Sequence, residues 1–322
     1  MTKQFFSCVI IGLGNIGLNY DIQKNHNQYI QTHSRAFFLN SGFDLQGGVD
    51  IKSKARNIFT KNYNVNSYNT TEEALNEIKP DLVVLSVPTS SQLRVIKEIF
   101  KFFIPKAILC EKPMGVNLQE GMKILGICKR NDVNLYVNYI RRCLPESKQI
   151  KRQIDKRIIK VPIKSVVWYS KGISHNGSHF INLMEYWFGK CLNVNIINQG
   201  RKFKNFGFEP LVRLKFKNSE VVMIPAWEEY FSHNTIEVVS SSGRLYWGNS
   251  GLEWIGVEKS KNFKGNTYLS NKTKLINDVG NKYQMHVADE LYLAMLGKQS
   301  SICSGEQALQ TLQTIKSMLP KN

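Results

Sequence analysis

No apolar run in the 322-residue chain approaches the ~20 residues that a membrane-crossing helix needs. Cysteine is scarce as well: Cys8, Cys110, Cys128, Cys143, Cys191 and Cys303 are scattered with no CxxC pair. That spacing suits neither a disulfide framework nor a zinc site, and a reducing cytoplasm is the expected setting. There is no self-similarity at the periods that mark solenoids, and no low-complexity tract. At the N-terminus Gly12 and Gly14 break the opening apolar stretch, and too few apolar residues precede Cys8 for a secretory segment. Acidic residues are under-represented, 25 against 43 Lys and Arg, leaving a formal charge of +18. Such a surplus points to a nucleic-acid face, an anionic-lipid face, or a positive pocket for a phosphorylated or carboxylated small molecule. The accompanying abundance of Asn and Ile, which do no electrostatic work, points instead to a bias in composition.

From Phe5 to Tyr139, short apolar runs alternate with amphipathic stretches, as in successive βαβ units. Strands are expected at Phe5 to Ile11, Phe43 to Val49, Leu82 to Val87, Ala107 to Leu109 and Leu135 to Tyr139. Helices are expected at His33 to Asn40, Lys52 to Phe59, from the Thr70/Glu73 capping box to Lys79, Ser91 to Phe103, and from the Asn117/Glu120 box to Arg130. Buried runs this short, each flanked by turn chemistry, predict a parallel sheet covered on both faces. Beyond Arg142 the texture changes. Strands at Ser165 to Lys171, Leu211 to Lys217, Val221 to Pro225, Thr235 to Ser240 and Arg244 to Trp247 follow one another with few helices between them. That predicts a separate α+β domain with an antiparallel sheet, closed by helices at Met285 to Leu296 and Gly305 to Leu319. The fold class is thus α/β, with domains at 1–142 and 143–322.

Gly12, Gly14 and Gly17 form GxGxxG directly after the first strand. The first glycine permits the tight turn, the second lets a pyrophosphate approach the backbone, and the third lets helix and strand pack closely. Asp50 ends the second strand, where a carboxylate accepts ribose hydroxyls and repels a 2′-phosphate. That favours NAD, while Lys52, Lys54 and Arg56 leave NADP open. Asp50 lies further from Gly17 than the ~20 residues usual for the motif. The extra length falls in the polar stretch Leu18 to Gln31, which interrupts the path from the glycine turn to the first helix.

Ligands of an open parallel sheet sit beyond the carboxyl ends of its strands. Ser86 to Thr89, with Pro88, and Cys110 to Pro113 occupy such ends. Lys112 there can polarise a hydroxyl or carbonyl and stabilise alkoxide charge. Further on, Asn176 or Ser174 can cap a helix that buries Phe180, Met184, Trp187 and Phe188 and stops at Gly189. His179 then lies in the first turn, where the positive helix end favours a neutral imidazole. His175 and His179 are spaced like a metal pair, but without HExxH or a third ligand no metal is expected.

Taken together, GLGNIG (12–17), SVPTSSQ (86–92), EKP (111–113), VNYIRRCLP (137–145), GSHFINL (177–183) and the closing DEL and CSGEQAL resemble the glucose-fructose oxidoreductase / inositol dehydrogenase / MocA family. The resemblance covers essentially the whole chain in order. It implies a Rossmann domain followed by a domain whose large, mostly antiparallel sheet forms a homo-oligomer interface, in a dimer or tetramer. It also implies a cytoplasmic NAD(P)-dependent enzyme acting on a sugar, nucleotide sugar or similar polyol, for which surface-polysaccharide sugar biosynthesis is a fitting setting. Gly12, Gly14, Asn15, Ile16, Gly17, Asp50, Pro88, Glu111 and Lys112 are implied to hold the cofactor. Lys112 and His179 are implied to be catalytic, the histidine moving the proton. Tyr139, Arg142, His175, Asn176 and Asn182 are implied to meet substrate. Three positions depart from the family pattern: Gln92 replaces a histidine, and Asn182 and His175 replace aspartates. Losing two carboxylates motivates the alternative of a catalytically silent NAD(P)-binding sensor. The basic run Lys148, Lys151, Arg152, Lys156, Arg157, Lys160 and Lys164 reads as a solvated helix face, with Ile150, Ile154 and Ile158 inward, and no specific nucleic-acid partner is expected.

Overall fold

The computed structural model describes residues 4–248, 251–261, 263–276 and 281–320. The apolar runs of the first half become parallel strands β1 (Phe6–Ile11), β2 (Phe43–Val49), β3 (Ser67–Tyr68), β4 (Leu82–Leu85), β5 (Ala107–Cys110) and β6 (Asn134–Val137). Between them lie α1 (His33–Leu39), α2 (Ser53–Tyr63), α3 (Thr71–Ile78), α4 (Thr89–Phe102) and α5 (Leu118–Arg130). The spatial order β6-β5-β4-β1-β2-β3 is doubly wound, and it reverses direction between β1 and β4. The central strands β1, β4 and β5 are apolar at nearly every position because both faces are covered. Val9 and Ile11 enter the layer under α3, α4 and α5, and Cys8 and Ile10 enter the layer under α1 and α2.

Local chemistry sets the helix ends. Thr70 Oγ1 accepts from Glu73 N–H at 3.2 Å, and the Glu73 carboxylate accepts from Thr70 N–H at 3.3 Å, completing the capping box. At α5 the box is half made: Asn117 accepts from Glu120 N–H, but the Glu120 carboxylate takes Val116 N–H instead. Several boundaries differ from the sequence reading, β4 among them, which stops at Leu85. Helix α4 begins at Thr89, directly after Pro88, α2 continues to Tyr63 and ends at Asn64 in the left-handed region, and β6 stops at Val137.

The second sheet holds β7 (Ile163–Tyr169), β8 (Asn193–Asn198), β9 (Leu211–Lys215), β10 (Ser219–Pro225), β11 (Thr235–Ser240), β12 (Gly243–Gly248), β13 (Gly251–Lys259) and β14 (Thr267–Ile276). Its order is β14-β13-β12-β11-β7-β10-β9-β8, antiparallel except where β7 pairs with β10. Strands β8, β13 and β14 are absent from the sequence reading. β8 and much of β14 are exposed, so backbone ladders rather than an apolar face hold them, and no alternating pattern marks them. With this sheet go α6 (Pro145–Asp155) and α7 (Ser178–Phe188). Phe180, Met184 and Trp187 of α7 are buried, and Trp187 stacks on Trp247 with centroids 6.0 Å apart.

The basic run corrects one expectation. Helix α6 ends at Asp155 and Arg157 has φ +57°, so the helical register is lost; Ile150 stays buried, but Ile158 is 55% exposed and Ile159 takes its place inside.

The chain closes with α8 (Tyr283–Met295), β15 (Cys303–Ser304) and α9 (Gly305–Lys316). By compactness there are two units. One comprises the described residues through Leu144 together with 281–312, and the other comprises the described residues from Pro145 to 276 and from Gln313 onward. The boundary is therefore discontinuous, unlike a single cut after Arg142. The return has a packing cause: β15 adds antiparallel to β6 as a seventh strand, and Val287, Ala288 and Leu291 of α8 complete the layer that holds Phe37. No described helix is long and apolar enough to cross a membrane.

Candidate active site

The glycine turn follows β1 with geometry that only glycine tolerates at two places. Gly12 has φ +101°, and a Cβ there would stand 2.8 Å from the Ser86 backbone; at Gly17 it would stand 2.1 Å from the Gly12 carbonyl oxygen. Ser86 pins the turn, its hydroxyl donating to the Gly12 carbonyl at 2.6 Å. Gly14 is different: a Cβ would meet nothing within 4 Å. The backbone there borders open space, the room that a pyrophosphate needs beside Asn15 and Ile16. Asp50, at the end of β2, faces this turn and accepts from Leu13 N–H and Lys52 N–H, both at 2.8 Å. The residues present thus fit a dinucleotide.

The insertion Leu18 to Gln31 is looped out of a nearly continuous helix. His33 N–H and Ser34 N–H donate at 3.0 Å to the carbonyls of Ile16 and Gly17, as if α1 followed the glycine turn directly. The loop is pinned from within. Buried Asp21 accepts from Gln31 N–H, Thr32 N–H and the Thr32 hydroxyl, and lies 3.7 Å from Arg35, whose guanidinium donates to the carbonyls of Lys24 and Tyr29. Ile30 bonds through its backbone to Asn281 and Gln284 at the start of α8. The insertion is therefore a built part of the first unit.

Lys112 follows β5 at the same carboxyl edge, half-buried, in a turn closed by a cis Lys112–Pro113 bond. Gln92, fully buried on α4, holds both ends of that turn: its Nε2 donates to the Glu111 carbonyl at 2.7 Å and its Oε1 accepts from Gly115 N–H at 2.8 Å. The Glu111 carboxylate accepts from His33 Nε2 at 2.8 Å and Asn138 Nδ2 at 2.6 Å. Burial pushes this carboxyl up, but the His33 and Asn138 bonds and the nearby Lys112 charge outweigh it and hold it below the ordinary carboxylate range. Gln92 stands out in the sequence only as a departure from the family pattern, and His33 carries no signature beyond standing at a helix start.

The first unit thus gathers Gly12, Gly14, Gly17, Asp50, Pro88, Glu111 and Lys112 at the carboxyl ends of β1, β2, β4 and β5. Arg142 follows the strand β6 in the same unit. It is 4% exposed, and its guanidinium donates to the Ser301 carbonyl at 2.7 Å and to Gln307 at 2.9 Å, tying β15 and α9 to the turn after β6. Tyr139, beside it, is buried.

In the second unit, His175, Asn176, His179 and Asn182 are gathered on one segment. The expected cap is replaced by a wide π-type turn, Gly172–Gly177, wound directly into α7. Asn176 Oδ1 meets the His175 ring at 3.0 Å instead of capping the helix, and the leading N–H groups of Gly172 and Ile173 are taken by Glu209 and Phe208. His179 therefore sits inside a wound segment whose free donors lie further back, and the helix-end field acts on it less than a capped start implies. Asn182 is buried, and His175 packs edge-on against Phe206 at 5.1 Å. Among the described residues no group of three or more His, Cys, Asp or Glu is arranged to hold a metal.

Comparison with known proteins agrees with this fold. The Gfo/Idh/MocA family model, described as an oxidoreductase family with an NAD-binding Rossmann fold, matches residues 6–139. The rhizopine catabolism protein MocA of Rhizobium meliloti is 29% identical over 124 residues, 38% of each chain. The chain thus matches well under half the length of that relative. Among solved structures, a putative NADPH-dependent oxidoreductase of Desulfitobacterium hafniense superposes with a TM-score of 0.78 at 18% identity, covering 99% of this chain and 95% of the other. The WlbA dehydrogenase of Bordetella pertussis, in complex with NADH and UDP-GlcNAcA, superposes with a TM-score of 0.73 at 13% identity, with coverage of 99% and 95%. At such identities the likeness is one of fold, and it extends over both sheets. Residues 6–139 thus match the NAD-binding Rossmann fold of the Gfo/Idh/MocA oxidoreductase family.

Proposed function

We propose that the protein is an NAD(P)-dependent oxidoreductase that interconverts a hydroxyl and a keto carbon of a sugar, nucleotide sugar or sugar derivative. The observation that carries this reading is Lys112, set by Gln92 at the end of β5 on the edge that also holds the glycine turn and Asp50. The bound dinucleotide supplies the hydride acceptor or donor. The amides of the glycine turn hold its pyrophosphate, and Asp50 holds its ribose hydroxyls and disfavours a 2′-phosphate. The Lys112 ammonium stabilises charge developing on the substrate oxygen. His179 takes the hydroxyl proton in oxidation and returns it in reduction, and His175, Asn176 and Asn182 bind substrate. The WlbA complex with a UDP-sugar acid, together with the basic surplus of this chain, supports an anionic sugar substrate.

Lys112→Met tests the reading in an assay of sugars and UDP-sugars at the nicotinamide absorbance. Turnover is expected to vanish with cofactor binding retained, and substantial residual turnover overturns the role of the lysine. The presence of Asn182 and His175 where the family pattern has carboxylates favours a second reading, a sensor that binds NADH and turns over nothing. The same assay on the unaltered chain separates the two. We also infer a cytoplasmic homo-oligomer: the second sheet exposes Trp168 and Val239, an outward face of the kind that pairs with a second copy. Light scattering after gel filtration tests this, and a monomer at working concentration overturns it.

A further inference from the structure

The residue before Lys112 is held more firmly than a turn requires. Glu111 Oε1 receives two donors, His33 Nε2 and Asn138 Nδ2, and only 15% of its side chain and 1% of the His33 side chain are exposed. An ionised carboxylate only accepts, so the His33 proton lies on Nε2. The other ring nitrogen, Nδ1, is buried and has no hydrogen-bond partner among the described residues. Burying a ring with one nitrogen unsatisfied is unfavourable. What the placement secures is the bond to Glu111. Asn138 is itself braced by Gln284 of α8 at 3.3 Å.

The titratable and charged groups facing Glu111 are His33 from α1, Lys112 from its own turn, and Tyr283 from the start of α8. Burial, followed by Asp21, Tyr20 and Glu111, pushes the Tyr283 phenol up to about 12, so it stays neutral in the working range. Lys112 is the charged side chain next in sequence to this carboxylate, and His33 meets the carboxylate through its Nε2 proton. Gln92 fixes the main chain on either side of the lysine, while His33 and Asn138 fix the anion next to it.

We propose that His33 is a positioning residue for Lys112, holding the Glu111 carboxylate as the fixed anionic neighbour of the lysine ammonium at the substrate oxygen. The purpose of the coupling rests on the function proposed for Lys112; the coupling itself does not.

The test is a titration of Lys112 in the full chain, with lysines reductively 13C-methylated and the Lys112 resonance assigned by its loss in Lys112→Arg. Glu111→Gln is expected to lower the Lys112 pKa by about one unit, roughly tenfold in its acid constant. His33→Ala is expected to move it in the same direction, and His33→Gln, which keeps an N–H donor, to restore it. An unchanged Lys112 titration in Glu111→Gln, with native near-ultraviolet dichroism, overturns the proposal even if His33→Ala fails to fold. Equal titrations in His33→Ala and the unaltered chain overturn the part given to the histidine. Retained turnover in Lys112→Met instead overturns the functional reading while leaving the titration result intact, so the two failures are distinguishable.

Discussion

Gln92 and Lys112 are joined through the backbone: the buried amide of Gln92 donates to the carbonyl just before the lysine and accepts from the amide of Gly115 just after its turn. In Gln92→Ala the Gly115 amide loses its partner and the Glu111 carbonyl keeps only the weak Cys110 thiol donor, and an unsatisfied buried group costs about 1–3 kcal/mol. A loss of stability of that order in urea unfolding is expected. Turnover is expected to fall further than stability alone explains, because the lysine turn is released. A variant as active and as stable as the unaltered chain contradicts this picture of the turn.

Asp50 accepts from the glycine turn and from Lys52, and stands where the adenosine ribose is expected. In Asp50→Ser the carboxylate that repels a 2′-phosphate is gone, while Lys52, Lys54 and Arg56 remain. The ratio of kcat/KM for NADP over NAD is expected to rise by about tenfold or more, the size of one charge interaction of ~1.4 kcal/mol. An unchanged ratio places the ribose elsewhere.

Asp21 and Arg35 are both fully buried and hold the insertion against α1. Removing one member of a buried pair strands the other charge, so Asp21→Ala is expected to lose about 3–5 kcal/mol in chemical denaturation. If the insertion were only a solvated loop, the variant would unfold at the same denaturant concentration as the unaltered chain.

The Glu111 carboxyl is held below its ordinary range, because the His33 and Asn138 bonds and nearby positive charge outweigh burial. A carboxyl whose folded pKa is depressed contributes stability above its unfolded pKa, ~4.3 for Glu, and loses it as pH falls toward the folded value. The stability difference between the unaltered chain and Glu111→Gln is therefore expected to be flat from neutral pH down to that range and to shrink below it. Urea midpoints measured from pH 7 to pH 3 check this; a difference that grows on acidification contradicts it.

Much of the first unit is legible in the chain. GLGNIG predicts the turn that Gly12 and Gly17 make, the Thr70/Glu73 box predicts the start of α3, and the apolar runs predict β1, β2, β4 and β5 nearly to the residue. The second sheet is legible only where an inner face alternates, as in β7 and β10; the exposed strand β8 and the hairpin of β13 and β14 carry no such pattern. The start of α7 reads as a capped helix because Asn176 is a good capping residue. Glu209 and Phe208, more than 30 residues away, take that task and free Asn176 to meet His175.

By itself the sequence determined the Rossmann topology, the dinucleotide turn and the place of Lys112, since turns, caps and strand alternation depend on residues a few positions apart. Tertiary structure alone decided that the last strand rejoins the first sheet, that Arg142 meets Ser301 and Gln307, that Gln92 holds the lysine turn, and that His33 meets Glu111 from 78 positions away. Each of these is a buried polar group or strand edge that must find a partner. Which partner it finds depends on which distant segments the fold brings against it, and no local pattern encodes that.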